Sequence, residues 1–120
     1  MDIEQRKILV SQLVNYAGNQ KQLINELRAY GWDCENDLVV LNKEHIEKVL
    51  DLYLDEKINC KDLYIWAECL ERREDIGFEK GFETVIDESI FWLANPEINY
   101  EITPDLAKII KANLQNNTVE

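Results

Sequence analysis

The order of apolar and polar residues along the chain has the period of an α-helix almost throughout. A first helix is expected over residues 3–17 and a second over residues 19–30. A glycine follows each of them, and glycine is the residue that most readily takes the left-handed conformation after a helix. Because the connection between the two helices is so short, they should pack as an antiparallel hairpin over residues 1–31.

Three later helices are predicted from one repeated start signal. Asn42, Asn59 and Thr103 each follow an apolar residue and precede a run with helical spacing. The side chains of Asn and Thr accept hydrogen bonds from the free N–H groups of a first helical turn, and the preceding apolar residue packs onto that turn. The signal predicts helices over residues 43–54, 60–74 and 104–114, with residues 115–120 as a frayed tail.

Two stretches between these helices need separate interpretation. In "WDCENDLVV" the apolar residues 38–40 follow a polar loop, but the sequence offers no second strand for them to pair with. They are interpreted as an extended connector packed on the core. In "GFEKGFETVIDESIFWLANP" the apolar residues predict one helix from Phe78 to Asn95, since Pro96 forces an end there. Gly81 lies inside this helix, where it would let another helix approach.

These elements predict an all-α fold, a compact bundle of about six helices in one domain over residues 1–120. The hairpin of residues 1–31 precedes an acidic helical core over residues 42–114. Hydrophobic residues make up 46% of the chain and charged residues 31%, which is an ordinary globular balance. The chain has no apolar run of about 18 residues and does not begin like a secretory signal, so we expect a cytoplasmic protein.

The inventory of reactive residues argues against an enzyme. The three cysteines show no C-x-x-C spacing, and the single histidine, His45, is expected to be exposed in the first turn of a helix. Zinc sites usually need several Cys or His ligands at short spacing, and a di-iron bundle needs Glu-x-x-His motifs on two helices. A nucleophilic triad would have to use His45, the one imidazole of the chain. A carboxylate pair or an all-carboxylate metal site remains the outside alternative, as in a small hydrolase. The prediction is a non-enzymatic protein without metal or cofactor.

The net charge of the chain is unusually negative for a protein of this size. The net charge is −11, and residues 33–105 alone hold twenty acids and seven bases, which gives −13. The two ends carry +1 each. Such a field repels nucleic acid and anionic membranes, and it attracts basic proteins over a Debye length of about 8 Å at physiological salt.

The most acidic surface is predicted around "ERREDIGFE", residues 71–79. Ile76 should tuck beneath a corner between two helices, and acids should follow at helical spacing on both sides of that corner. One interpretation is an ordinary solvated face, and the other is a patch that binds a basic partner. Trp32 is added as a possible exposed anchor, whereas Trp66, Trp92, Phe82 and Phe91 are assigned to the core. The predicted partner-binding residues are Glu68, Glu71, Glu74, Asp75, Glu79, Glu83, Asp87 and Trp32.

A resemblance adds to this interpretation over residues 46–110. "YLD" at residues 53–55, "WA" at 66–67, "REDI" at 73–76 and "FWLANP" at 91–96, with Ile58 and Leu63 between them, resemble the small acidic helical immunity proteins of bacterial toxin systems. Those proteins accompany contact-dependent growth inhibition toxins and colicin-like nucleases. The resemblance implies a cytoplasmic inhibitor that binds a cognate toxin domain, often a nuclease with a basic substrate groove.

Two other functions fit the same residues. One is a helical protein-interaction module, either an adaptor or a regulatory subunit, and the other is an acidic mimic of nucleic acid. A toxin-encoding frame beside the gene favours the immunity function, while an isolated or phage-borne gene favours the alternatives.

Overall fold

Six α-helices and two short β-strands make up the structure, a computed structural model that describes residues 3–31 and 33–116. The helices are α1 (Ile3–Val14), α2 (Gln20–Leu27), α3 (Lys43–Leu54), α4 (Cys60–Glu71), α5 (Glu83–Ala94) and α6 (Pro104–Asn116). The strands are β1 (Val39–Leu41) and β2 (Ile76–Phe78). The predicted bundle of six helices is confirmed. Of the predicted tail, residues 115 and 116 belong to α6, and residues 117–120 lie outside the described part.

One continuous hydrophobic core joins all six helices. α4 packs most extensively against α5, α3 against α6, and α1 against α2. Trp66 is its largest fully buried side chain, and the indole N–H donates to the carbonyl of Leu13 at 2.8 Å. That bond satisfies a buried polar group and ties α4 to the N-terminal hairpin. No helix in the described ranges has the length and apolar character needed to cross a membrane.

The three predicted helix starts are confirmed by their hydrogen bonds. The side chains of Asn42 and Asn59 accept from the N–H groups of His45 at 3.1 Å and Asp62 at 2.8 Å. The hydroxyl of Thr103 accepts from the N–H of Leu106 at 3.2 Å. Local sequence was sufficient here, because a cap and its partner lie within one turn.

His45 has a more specific place than the exposed position expected for it. It is half-buried, and its Nδ1 accepts the backbone N–H of Asn42 at 3.0 Å, which completes a reciprocal capping box. Burial lowers the pKa of His45, with Lys48 acting in the same direction and Glu44 and Glu79 opposing it. The neutral imidazole is therefore the form that stabilises α3.

Acid should weaken this cap. A group whose pKa is lowered by folding stabilises the protein above its unfolded pKa of about 6.5 and loses that contribution as the pH falls through the folded-state pKa. We expect the free energy of unfolding of the native protein to fall as the pH drops below about 6.5. His45→Gln, which keeps an acceptor at this position, should show a flatter profile over that range in urea titrations. Parallel profiles for the two proteins would contradict a titrating cap.

Residues 38–40 were predicted to be an extended connector without a partner strand; residues 39 and 40 are extended, but the absence of a partner is wrong, because residues 39–41 form a strand that has one. β1 pairs in parallel with β2, in the register Val39 to Ile76, Val40 to Gly77 and Leu41 to Phe78. The backbone carbonyl of Asp75 accepts the N–H groups of Leu38 at 2.8 Å and Val39 at 3.2 Å just before the ladder. β2 gave no signal in the sequence because it is three residues long and centred on a glycine.

Gly77 lies against the side chain of Asp37. A Cβ atom at position 77 would collide with that carboxylate, which is exposed and would have to move.

The helix predicted from Phe78 begins later, so that prediction is wrong at its start. Phe78 belongs to β2, and Gly81, with a φ of 90°, forms the turn that precedes α5. The position suits glycine because it lies in the left-handed region. The predicted end at Asn95 is confirmed, since α5 stops at Ala94.

Candidate functional site

Asp75, predicted to be an exposed member of the acidic patch, is instead the most buried charge of the structure. Its side chain is 0% exposed and lies between two guanidinium groups. Arg6 Nε donates to Oδ2 at 2.9 Å, while Arg73 donates from Nε to Oδ1 and from Nη2 to Oδ2, both at 2.9 Å. This buried triad, Arg6–Asp75–Arg73, joins α1 to the segment that follows α4.

Both arginines of the buried triad also hold the backbone around position 32. Arg6 Nη2 donates to the carbonyl of Asp33 at 2.9 Å, and Arg73 Nη2 donates to that of Gly31 at 3.1 Å. The triad thus fixes the segments on either side of the proposed anchor, Trp32, which itself lies outside the described residues. Sequence position could not reveal the triad, because Arg6 and Asp75 are 69 residues apart.

The charge state of Asp75 follows from its two partners. Burial alone raises the pKa of its carboxyl, but the hydrogen bonds and charges of Arg73 and Arg6 outweigh it and hold the pKa below its ordinary value. Asp75 is therefore ionised, and its negative charge is taken up inside the protein. Its assignment to an exposed surface is wrong, because two arginines shield it from any partner.

Two other predicted acids on α4 are engaged at its C-terminal half. Glu71 is half-buried and accepts from Asn95 Nδ2 at 2.6 Å, which links the ends of α4 and α5. Glu68 is exposed and accepts a hydrogen bond from Tyr64, and this bond raises the pKa of the Tyr64 hydroxyl. Glu74 is exposed beyond α4.

The acids after the corner, Glu79, Glu83 and Asp87, do not lie on one helix as their spacing predicted. Glu79 lies outside any helix and is half-buried, and its carboxylate accepts the N–H of Lys43 at 3.1 Å, at the start of α3. Glu83 opens α5 and accepts the N–H of Gly81 at 2.7 Å. A carboxylate at either place is stabilised by the positive end of the helix dipole.

One of the seven predicted acids is removed from the surface, because Asp75 is buried. Glu71 is bonded to Asn95 at the C-terminal end of α5, and Asp87 lies eight positions before Asn95, which corresponds to about 12 Å along a helix axis.

A continuous acidic surface is found on α5 itself. Its exposed residues follow the helical spacing of one face, and we name them the α5 face: Glu83, Thr84, Asp87, Glu88 and Phe91. α5 contains no basic residue, and Asp87 and Glu88 form no ion pair with another described side chain. Asp87 and Glu88, four and three positions earlier, thus lie beside a Phe91 ring that is 41% exposed, and Glu83 lies one turn further from it.

Phe91 is the residue of this surface that sequence reasoning missed. It was assigned to the core with Trp66, Trp92 and Phe82, but it lies four positions after Asp87 and shares its face. Trp66 is buried as expected, whereas Trp92 and Phe82 are half-buried. The i, i+4 spacing from Asp87 was the signal available in the sequence.

Apolar exposure continues in the turn that follows α5. Ile98 is 68% exposed and Tyr100 is 58% exposed, and the Tyr100 ring meets Trp92 edge-on with centroids 5.4 Å apart. Glu97 and Glu101 flank these residues and are exposed too. Exposed aromatic and aliphatic side chains bordered by charged ones are the composition of a protein interface.

Comparison of the chain with protein-family models, with curated proteins and with solved structures finds no match in any of the three. In residues 3–31 and 33–116, no group of three or more His, Cys, Asp or Glu side chains is arranged to hold a metal ion.

Proposed function

We propose that this protein is an immunity-type inhibitor that binds a basic toxin domain, of which a nuclease is the best-suited class, through the α5 face. The observation that carries the proposal is the combination on one helix of three exposed carboxylates and an exposed phenyl ring, without any basic residue among them. The resemblance of residues 46–110 to toxin-system immunity proteins points to the same partner class.

The charge of the rest of the molecule supports the same partner. Residues 33–105 hold twenty acids and only seven bases, so most of these carboxylates have no basic side chain within that range to neutralise them. A nuclease groove is lined with cations that normally meet phosphates. Carboxylates on a rigid helix can occupy the same positions and speed the encounter by electrostatic steering.

Apolar side chains are the second component of the proposed interface. Charges at the rim of an interface set the association rate, while a desolvated aromatic side chain at its centre sets the lifetime of the complex. Phe91 is the exposed aromatic residue of the α5 face, so we assign the anchor to it.

The direct test is co-expression with the protein encoded by the neighbouring open reading frame, followed by purification on a tag carried by only one of the two. A stoichiometric complex and loss of the partner's nuclease or other toxic activity on titration with this protein are the expected results. A partner that binds without losing a toxic activity would instead identify an adaptor or regulatory subunit. A neighbour that neither binds nor is toxic would contradict the immunity function.

A further inference from the structure

A second surface of opposite character lies between α2 and α4. A groove of about 810 Å³ is bordered by the first turns of both helices and by the turn that joins α1 to α2. Its volume falls in the range of ordinary ligand sites, about 300–1,000 Å³. The groove lies outside the α5 face and shares no residue with it.

The groove is basic in a strongly acidic protein. Lys21, Arg28 and Lys61 line it, and Asp62 is its one carboxylate. The Asp62 carboxylate is already engaged by the backbone N–H of Asn59 at 3.0 Å, in the capping box of α4. Neither Lys21 nor Lys61 forms an ion pair with another described side chain.

Two helix N-termini reinforce this positive potential. Gln20 and Lys21 begin α2, and Lys61 and Asp62 lie in the first turn of α4. The positive ends of both helix dipoles thus border the same groove, where they favour an anion.

The wall of the groove at the start of α2 is held by Gln20. Its amide Nε2 donates to the carbonyls of Ala17 at 2.8 Å and Gln12 at 3.3 Å, which ties the start of α2 to the end of α1.

Apolar side chains complete the lining. Ile24 and Ile65 border the groove, and the rings of Tyr16 and Trp66 meet edge-on with centroids 6.4 Å apart. Ile65 is exposed, although the helix that carries it is otherwise well packed. The groove therefore combines cations and apolar contact area.

From these features we infer that the groove binds an extended acidic peptide segment, in which carboxylates flank an apolar side chain. The carboxylates meet Lys21 and Lys61, and the apolar side chain covers Ile24 and Ile65. A simple inorganic anion has the charge without the apolar group. The α5 face and the groove thus select partners of opposite charge.

The test uses a synthetic pentapeptide, Gly-Glu-Leu-Glu-Gly, blocked at both ends, titrated into the isotope-labelled full chain and followed by NMR. We expect saturable shifts of the backbone amides of residues 20–22 and 61–62, with a dissociation constant on the order of 1 mM or below. The neutral analogue Gly-Gln-Leu-Gln-Gly and inorganic sulfate should each bind at least tenfold more weakly.

Charge reversal locates the site. Lys21→Glu with Lys61→Glu should abolish the shifts, whereas the matched control Lys80→Glu with Lys108→Glu, which changes two exposed lysines elsewhere, should retain them. Equal affinity for sulfate, absence of saturable shifts, or shifts that survive the groove reversal would each overturn the inference. So would shifts of the same amides on raising the protein concentration without peptide, since a second copy would then fill the groove. None of these results depends on the α5 face.

Discussion

Replacing Asp75 with asparagine is expected to lower the free energy of unfolding by about 3–5 kcal/mol, the usual cost of breaking a buried ion pair by removing one partner. The amide keeps the shape of the carboxylate but leaves the guanidinium groups of Arg6 and Arg73 without a counter-charge, and both residues are only 7% exposed. For a domain of this size the loss corresponds to a fall in the melting temperature of about 10–20 °C.

The chain offers a matched control for this substitution. Lys111 and Asp51 form a shorter salt bridge, 2.6 Å, but their side chains are 30% and 47% exposed. Asp51→Asn should cost no more than about 1 kcal/mol, because solvent screens an exposed pair. Urea titrations of the two variants measure the cost of the same Asp→Asn substitution in a buried and in an exposed ion pair. Equal and small losses would show that the buried triad does not stabilise the fold.

The same substitution should change how stability responds to acid. The arginines hold the pKa of Asp75 below its ordinary value, so its contribution is present above about pH 4 and is lost as the pH falls through the lowered folded-state pKa. The difference between the native protein and Asp75→Asn should therefore be largest near neutrality and shrink on acidification. A constant difference down to pH 2 would exclude Asp75 as the titrating group.

Reversing the charge of the α5 face should weaken binding of the partner from the neighbouring reading frame at least tenfold at low ionic strength. In Asp87→Lys with Glu88→Lys, each change removes an attraction and adds a repulsion, worth about 1 kcal/mol per residue. The loss should appear mainly as slower association, and it should shrink as salt is added. Surface plasmon resonance at two salt concentrations separates these effects.

The fold itself should tolerate this reversal. Asp87 and Glu88 are exposed, and a lysine at position 87 stands four residues after Glu83, the favourable order for an i, i+4 ion pair. The control is Glu26→Lys with Asp55→Lys, which changes the net charge from −11 to −7 in the same way, at exposed sites elsewhere. If both double variants bind equally, only the total charge matters and the α5 face is not the interface.

Phe91 provides the complementary apolar test. Phe91→Ala should speed dissociation about tenfold or more if the ring is a desolvated anchor, since such residues cost about 2 kcal/mol or more when truncated. Ile109→Ala removes a similarly exposed apolar side chain on α6 and should leave the complex unchanged. Unchanged dissociation of the Phe91 variant would place the centre of the interface elsewhere.

The part of this protein that local sequence could predict is the part built from contacts within one or two turns. Asn42, Asn59 and Thr103 start their helices as expected, since each side chain bonds to a backbone group three residues away. Pro96 fixes the end of α5 for an equally local reason. Helical class and excess negative charge follow from the same level of information.

Tertiary structure decided which charges and rings are exposed. The sequence predicts Asp75 to be a surface acid, but Arg6, distant in sequence, and Arg73 enclose it. The sequence predicts Phe91 to be a core residue, but the packing of α5 leaves its ring exposed. β2 exists only because β1 lies beside it, and the basic groove exists only because the starts of α2 and α4 meet. The hydrophobic periodicity of a sequence predicts that a helix has an apolar and a polar face. Long-range contacts determine which residues are buried, and therefore which side chains remain exposed for a partner.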